Sequence, residues 1–321
     1  MNKLKQKMLI TGISGALSKR LCFNFKDDYH LSGFSRDEHK AGNVPDYVSR
    51  EIGCQRDFDR VDQIFNKYKP DIVIATGSLK KVDDIQRFPM EAVKTNILGT
   101  YNVCRACDKH NVKKMIFTNT DKAGGGATTM YGATKLLAGG ICDEWNGYSD
   151  TIFSKVLYGN ILGSTSSAIP MFIKMVENNQ TIQLTHPEVT RFFFTIDDSV
   201  NLIKDAIELG VGGDTFIPIM KSYKIIDVLK AISIIIGKSF KYNISGWRGV
   251  EKLHESFLTP EEMSRTYYIR DDLVCVTPPN TRPPHYAKKK YDGPMLSSNI
   301  MLSDNIDELV ELIKYGLSQV E

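Results

Sequence analysis

Residues 8–18 read MLITGISGALS. An apolar run at 8–11 leads into a turn that holds Gly12 and Gly15, and 16–25 carries the pattern of a helix. A strand, a glycine turn and a helix in that order form a cradle for a pyrophosphate. Gly12 permits the tight turn, and Gly15 lets backbone amides approach the phosphates at the helix N-terminus. The motif is T-G-x-x-G-x-x-G except at its last position, where Ser18 replaces the glycine that eases helix–sheet packing. Thr11, Gly12, Ser14, Gly15, Ala16 and Leu17 are therefore candidate cofactor-binding residues. Glycine turns also end ordinary strands; the position between a first strand and a helix gives this one its weight.

Downstream, strand patterns at 29–35, 47–53, 71–75, 114–120 and 151–157 alternate with helical patterns at 58–68, 89–110 and 131–145. Short apolar strands fit burial on both faces of a parallel sheet. The expected fold is α/β, a doubly wound parallel Rossmann sheet. Beyond residue 160 the pattern loosens. A strand end and helix is expected at 196–209, a helix at 225–236 and a loop at 276–296. An amphipathic helix is expected at 305–317, with Ile306, Leu309, Leu312 and Ile313 on one face. Residues 1–163 and 190–212 are assigned to the dinucleotide-binding domain, and 164–189 and 213–321 to a smaller substrate-binding lobe.

The 321 residues are 42% hydrophobic and 25% charged, ordinary for a globular protein with a full core. A net charge of +3 makes no case for nucleic acid or an anionic membrane. The first residues, MNKLKQKMLITG, lack the apolar stretch and cleavage site of a signal peptide, so the cytoplasm is the expected location. Cys104 and Cys107 form C-x-x-C, but no second pair completes a zinc site; they read as small core hydrophobes.

At the end of the second strand pattern stands Phe34-Ser35-Arg36, where NAD-binding folds usually carry an acid for the ribose hydroxyl. A hydroxyl and a guanidinium suit a 2′-phosphate, which favours NADP over NAD. A solvated surface arginine beside Asp37 is the plain alternative. Asp57 could accept from the adenine amine or simply cap the helix at 58–68. Ala75, at the end of the 71–75 strand, and Lys135 complete the cofactor set. Metal ligands are not expected.

Tyr131 and Lys135 lie one helical turn apart, so both can address one substrate atom. The lysine ammonium is expected to lower the phenol's pKa and make it a usable base. Thr120, Asp121 and Lys122 add a hydroxyl, an acid and an amine at the end of the 114–120 strand. This is the short-chain dehydrogenase pattern in its extended form.

The set Thr120-Asp121-Lys122-Ala123, Tyr131-Gly132-Ala133-Thr134-Lys135-Leu136 and Tyr158-Gly159-Asn160-Ile161-Leu162-Gly163-Ser164 resembles the inverting UDP-N-acetylglucosamine 4,6-dehydratases. So do Thr190-Arg191-Phe192, Glu251-Lys252-Leu253-His254-Glu255, Leu79-Lys80 with Val82, and Lys94-Thr95-Asn96-Ile97. The likeness runs from about residue 7 to the C-terminus. It implies an NADP-dependent hydro-lyase of surface glycan biosynthesis that acts on UDP-N-acetylglucosamine or a related UDP-sugar. It implies that Tyr131, with Lys135 and Thr120, takes the O4 proton as C4 is oxidised. Lys122 would remove the C5 proton and Asp121 would protonate the leaving C6 hydroxyl. Lysine, where the usual 4,6-dehydratases carry glutamate, marks the inverting group. Lys80, Asn160, Lys174, Arg191, Arg248 and Glu251 become candidates for UDP and sugar contacts, and a homo-oligomer, dimer or hexamer, is implied.

Two departures stand out. Between Lys122 and Tyr131, where the family carries A-N-P-x-N, the span 123–130 is one residue longer than the family's and richer in glycine, so a more flexible loop is expected. Arg248-Gly249-Val250 lacks the family's proline. Other readings are a UDP-sugar 4- or 5-epimerase, and a non-catalytic NADP-binding regulator. The first has no need of a C5 base if it acts at C4, and the second would lose Tyr131 or Lys135.

Overall fold

The computed structural model describes residues 5–42, 44–162, 168–246 and 251–319. The first half alternates as expected: β1 (Gln6–Thr11), α1 (Ala16–Phe25), β2 (Tyr29–Ser35), α2 (Glu38–Ala41), β3 (Ser49–Ile52), α3 (Phe58–Tyr68) and β4 (Ile72–Ala75). Then come α4 (Val82–Arg87), α5 (Pro89–Ala92), α6 (Gly99–Lys109), β5 (Lys114–Thr120), α7 (Met130–Asn146) and β6 (Ile152–Tyr158). A π-helical turn, Val93–Leu98, joins α5 to α6, so the one helix expected over 89–110 is interrupted. Such turns recur at functional sites. Here the turn aims Asn96 at the loop after β4. Its Oδ1 accepts from the Leu79 amide at 2.8 Å, and its Nδ2 donates to Leu79 O and to Thr134 Oγ1 in α7, both at 3.0 Å.

The second half contains β7 (Asn160–Ile161), α8 (Ala168–Glu177), β8 (Thr181–Leu184), β9 (Thr190–Phe194), α9 (Ile196–Leu209) and β10 (Thr215–Pro218). It continues with β11 (Ser222–Lys224), α10 (Ile225–Ile236), β12 (Lys241–Ile244), α11 (Pro260–Met263), β13 (Thr266–Arg270), β14 (Leu273–Val276), β15 (Lys289–Lys290) and α12 (Ile306–Ser318).

Among the described residues the main sheet has ten strands, ordered β15-β13-β14-β10-β6-β5-β4-β1-β2-β3. Neighbours from β3 to β10 are parallel, and β14, β13 and β15 add antiparallel pairs. The order reverses at β1, which lies between β2 and β4. Ligands of doubly wound sheets bind in the crevice at such a switch point, beyond the strands' C-terminal ends. The apolar strands are buried on both faces because helices cover both. Leu21 and Phe25 of α1 and Val200 and Ile203 of α9 pack one face. Val61 and Phe65 of α3, Val103 of α6 and Ala138 of α7 pack the other.

The main sheet thus takes in β10, β13, β14 and β15, from residues that sequence assigned to the smaller lobe, and β15 falls inside the expected 276–296 loop. Runs of two to five residues carry too little pattern to announce a strand. The lobe's own core gathers Phe172 of α8, Ile182 of β8, Ile232 of α10 and Ile313 of α12. Cys104 and Cys107 are fully buried in α6, burial pushes both thiols up, and Cys104 Sγ lies 4.0 Å from Cys142 Sγ. They pack as core hydrophobes, and no metal-ligand cluster occurs among the described residues.

Candidate active site

The glycine turn closes as its sequence requires. Gly12 has φ +65°, and a Cβ there would stand 2.9 Å from Gly77 Cα, so two backbones meet where a side chain would fill the gap. Gly15 is the N-cap of α1 and no side chain caps that end, which leaves the first-turn amides facing the crevice. Ser18, in the third glycine's place, donates to Gly12 O at 3.0 Å and meets Thr76 Oγ1 at 2.9 Å, pinning the turn to the β4 end. Thr11 Oγ1 accepts from the Gly77 amide at 3.0 Å. Ala75 ends β4 beside Thr11. Ser14, Ala16 and Leu17 lie in the turn and the first turn of α1. Ser35 is buried at the β2 end and Arg36 is exposed next to it. Asp57 caps α3, its Oδ1 accepting from the Arg60 amide at 3.1 Å. The uncapped N-terminus of α1 behind this tight turn fits a dinucleotide phosphate by its chemistry.

At the end of β5, Thr120 Oγ1 donates to Asp121 Oδ1 at 3.0 Å. Lys122 Nζ donates to the same oxygen at 3.0 Å and to Asn160 Oδ1 at 3.3 Å. Asp121 is fully buried and its Oδ2 has no hydrogen-bond partner. Gly132, near the start of α7, lets that helix approach: a Cβ there would stand 2.2 Å from Lys122 O. Tyr131 sits in the first turn of α7, with Thr129 capping the helix through the Gly132 amide at 3.0 Å.

The electrostatics of Tyr131 and Lys135 differ from the sequence expectation. Burial pushes the Tyr131 phenol up, nearby Tyr158 and Asp121 add to this, and the Thr120 hydroxyl acts the other way. Burial also brings Lys135 down to about 7. Its Nζ donates to Thr118 O at 2.6 Å and lies 3.9 Å from the Phe117 ring centroid. Burial thus opposes the phenolate, the reverse of the direction that the lysine was expected to give.

Arg191, buried in β9, gathers the 251–255 segment. It donates to Glu251 Oε1 at 2.9 Å, Lys252 O at 3.0 Å, Leu253 O at 3.2 Å and Thr190 O at 2.7 Å. Lys252 Nζ in turn donates to Gly124 O at 3.0 Å. The 123–130 loop is therefore held at Gly124, where a Cβ would stand 2.5 Å from Ser256 O. Among its three glycines, Gly126 alone has open space around a Cβ.

Two residues outside the sequence-derived set join the cluster. Glu255 is buried, with Oε1 4.0 Å from Lys122 Nζ and 3.9 Å from Arg191 Nε, and Lys252 reaches its Oε2 at 3.9 Å. The E-K-L-H-E motif carried the signal, since an acid stands at each end of it. Lys80 lies exposed in the loop after β4. Lys174 is exposed in the last turn of α8 and takes no part in the cluster's contacts among the described residues. Arg248, Gly163 and Ser164 lie outside the described residues.

A family model described as polysaccharide biosynthesis protein matches residues 8–276. A UDP-N-acetylglucosamine 4,6-dehydratase (inverting) of Campylobacter jejuni is 33% identical over 287 residues, covering 85% of this chain and 83% of that protein. A UDP-glucose 4-epimerase of Rickettsia bellii is 33% identical over 303 residues, covering 89% of this chain and 86% of that one. The X-ray structure of Pen from Bacillus thuringiensis matches with a TM-score of 0.88 at 28% identity, covering 98% of this chain and 99% of that one.

Proposed function

The chain belongs to the polysaccharide biosynthesis protein family, and we propose that it is a C5-inverting UDP-N-acetylglucosamine 4,6-dehydratase. The observation that carries this reading is the contact of Lys122 with Asp121 at the end of β5, in the electrostatic reach of Tyr131. An amine and an acid that share a proton are what an elimination across C5 and C6 needs.

A nicotinamide dinucleotide, NADP by the Ser35–Arg36 argument, would rest on residues 11–17 and would supply a hydride acceptor that also returns the hydride. Tyr131, as its phenolate, receives the O4 proton as the hydride leaves C4, with Thr120 beside it and Lys135 held one helical turn away by its bond to Thr118 O. The resulting 4-ketone makes C5–H acidic. Transfer of one proton from Lys122 Nζ to Asp121 Oδ1 leaves a neutral amine and a carboxylic acid without exchange with solvent. The amine then takes the C5 proton, and the acid protonates O6 as it leaves as water. The pair ends as ammonium and carboxylate, the form that a buried 3.0 Å contact favours. With the hydride returned to C6, the enolate takes a proton that originates in solvent at C5, on the opposite face.

Asn160, Lys80, Lys174, Arg191, Glu251 and Arg248 are assigned to the UDP-sugar, Arg191 and Glu251 by shaping the 251–255 wall. A homo-oligomer is part of the proposal, because Phe88, Met90, Leu98, Leu136 and Leu137 are exposed on α5, α7 and the adjoining turns. Action in the cytoplasm is too; no described helix is long and apolar enough to cross a membrane. A 4-epimerase is the second reading, favoured by the Rickettsia relative, though it would leave Asp121 and Lys122 idle. Mass spectrometry after incubation with UDP-N-acetylglucosamine separates the two. Loss of one water is expected, and an isomer of unchanged mass would move the reading to epimerisation.

A further inference from the structure

Glu255 is a buried acid that the steps above leave without a task. It is 3% exposed, yet its Oε2 has no hydrogen-bond partner. The backbone on either side of the side chain is anchored instead: the Glu255 amide donates to Ser298 Oγ at 2.9 Å, and Glu255 O accepts from the Ser298 amide at 2.8 Å. A carboxyl that only held the fold together would close its own hydrogen bonds. Here Oε2 stays unpaired with Lys252 Nζ 3.9 Å away, and Oε1 stands between Lys122 Nζ at 4.0 Å and Arg191 Nε at 3.9 Å, a short movement from a hydrogen bond to Lys122.

Resting on the dehydratase reading, we propose that Glu255 is a positioning residue for Lys122, accepting one of its N–H groups while the amine removes the C5 proton. The geometry supplies the reason. Lys122 Nζ has Asp121 Oδ1 at 3.0 Å, Asn160 Oδ1 at 3.3 Å and Glu255 Oε1 at 4.0 Å around it. A neutral amine has two N–H groups and one lone pair. Once Asp121 holds the proton it will give to O6, it no longer accepts from Lys122. Asn160 and Glu255 then take the two N–H groups, which leaves the lone pair in the corner that had faced Asp121, on the side where the acid meets O6. The C5–H electrons pass into the enolate of the 4-ketone and expel O6, the proton goes to Nζ, and Glu255 changes no bond. Its carboxylate steadies the ammonium as it forms.

The groups facing Glu255 set when it can do this. Asp121 and Lys122 reach it from the end of β5, Arg191 from β9, and Lys252 from its own segment. Glu251 is paired with Arg191, and His254 Nδ1 is turned to Thr190 Oγ1 at 2.7 Å. Burial first and Asp121 second push the Glu255 carboxyl up, against the three cations. Glu255 therefore takes up a proton at a higher pH than an ordinary glutamate, and Lys122 loses the negative charge that steadies its ammonium as pH falls through that point.

The test compares full-length wild type, E255Q and E255D with UDP-N-acetylglucosamine and NADP in deuterated buffer across the acid range. Two steps are read: C4 oxidation as reduced-nicotinamide absorbance, and deuterium entry at C5. E255Q is expected to keep C4 oxidation and lose C5 exchange by roughly a hundredfold, and the acid limb of exchange seen in wild type should vanish. E255D should keep a displaced limb at a reduced rate, and it decides the matter if E255Q does not fold. Wild-type exchange in either variant with an unmoved limb overturns the proposal. So does equal loss of both steps, which marks a residue of the fold alone. A wild type that oxidises C4 without exchanging C5 overturns the dehydratase reading itself, a result distinct from either.

Discussion

Lys122 Nζ donates to Asp121 Oδ1 at 3.0 Å, so the base and the acid proposed for the elimination share one proton. Their loss should block different events. Lys122→Ala should still oxidise C4 and accumulate reduced nicotinamide, but without deuterium exchange at C5. Asp121→Asn should keep C5 exchange only where the pH is high enough for solvent to take the Lys122 proton, and should slow water loss by roughly a hundred- to ten-thousandfold, the range for one general acid. Stopped-flow absorbance together with NMR reads both. Normal turnover by Lys122→Ala would reduce Lys122 to a structural charge.

Arg36 is exposed beside the buried Ser35 at the end of β2, open to a phosphate on the adenosine ribose. Arg36→Ala should weaken NADP binding by about tenfold or more, the loss of a charge-assisted contact, and leave NAD binding nearly unchanged. Titration calorimetry with both dinucleotides measures this. Equal losses would remove the case for NADP.

What was legible in the sequence was local. The strand at 29–35 and the helices at 58–68 and 225–236 match to the residue, because periodicity within one run determines them. The glycine turn was legible for the same reason, and Gly12 has the positive φ that its place requires. What depended on distant chain was not. Glu255 and Lys122 are far apart in sequence, and only folding brings them to 4.0 Å. The π turn at Val93–Leu98 answers to Leu79 and Thr134, which no local pattern reveals. The Tyr131 phenol was read from its neighbour four residues on, whereas burial by the whole fold controls it.

Lys135 makes the fold's stability depend on pH. Its pKa falls from the ordinary lysine value to about 7 on folding, because burial disfavours the ammonium. Below that pH both states hold the proton. Above it the unfolded chain binds more, so stability rises with pH. The window closes near pH 8.5, where unfolded thiols begin to ionise while buried Cys22, Cys104, Cys107 and Cys275 are pushed up. Urea unfolding of the cofactor-free protein should therefore show a rise between about pH 7 and 8.5 that Lys135→Met lacks. Parallel curves for the two proteins would contradict the burial of this amine.

Leu136 and Leu137 are each more than half exposed on α7, and Met90 and Leu98 are exposed beside them in sequence-adjacent helices. A second copy covering these residues would explain their exposure. Leu137→Glu should then shift the protein toward monomer in light scattering at micromolar concentration, without lowering its melting temperature by more than a few degrees. A wild type that is already monomeric would contradict the oligomer.

One spectrum separates elimination across C5 and C6 from epimerisation at C4. The protein is incubated with UDP-N-acetylglucosamine in deuterated water and the product read by proton NMR. A 6-deoxy-4-keto sugar with deuterium at C5 and inverted configuration there is the expected result. A 4-epimer that keeps its 6-hydroxyl and its C5 proton would contradict it, and would leave the Asp121–Lys122 pair without the role assigned to it.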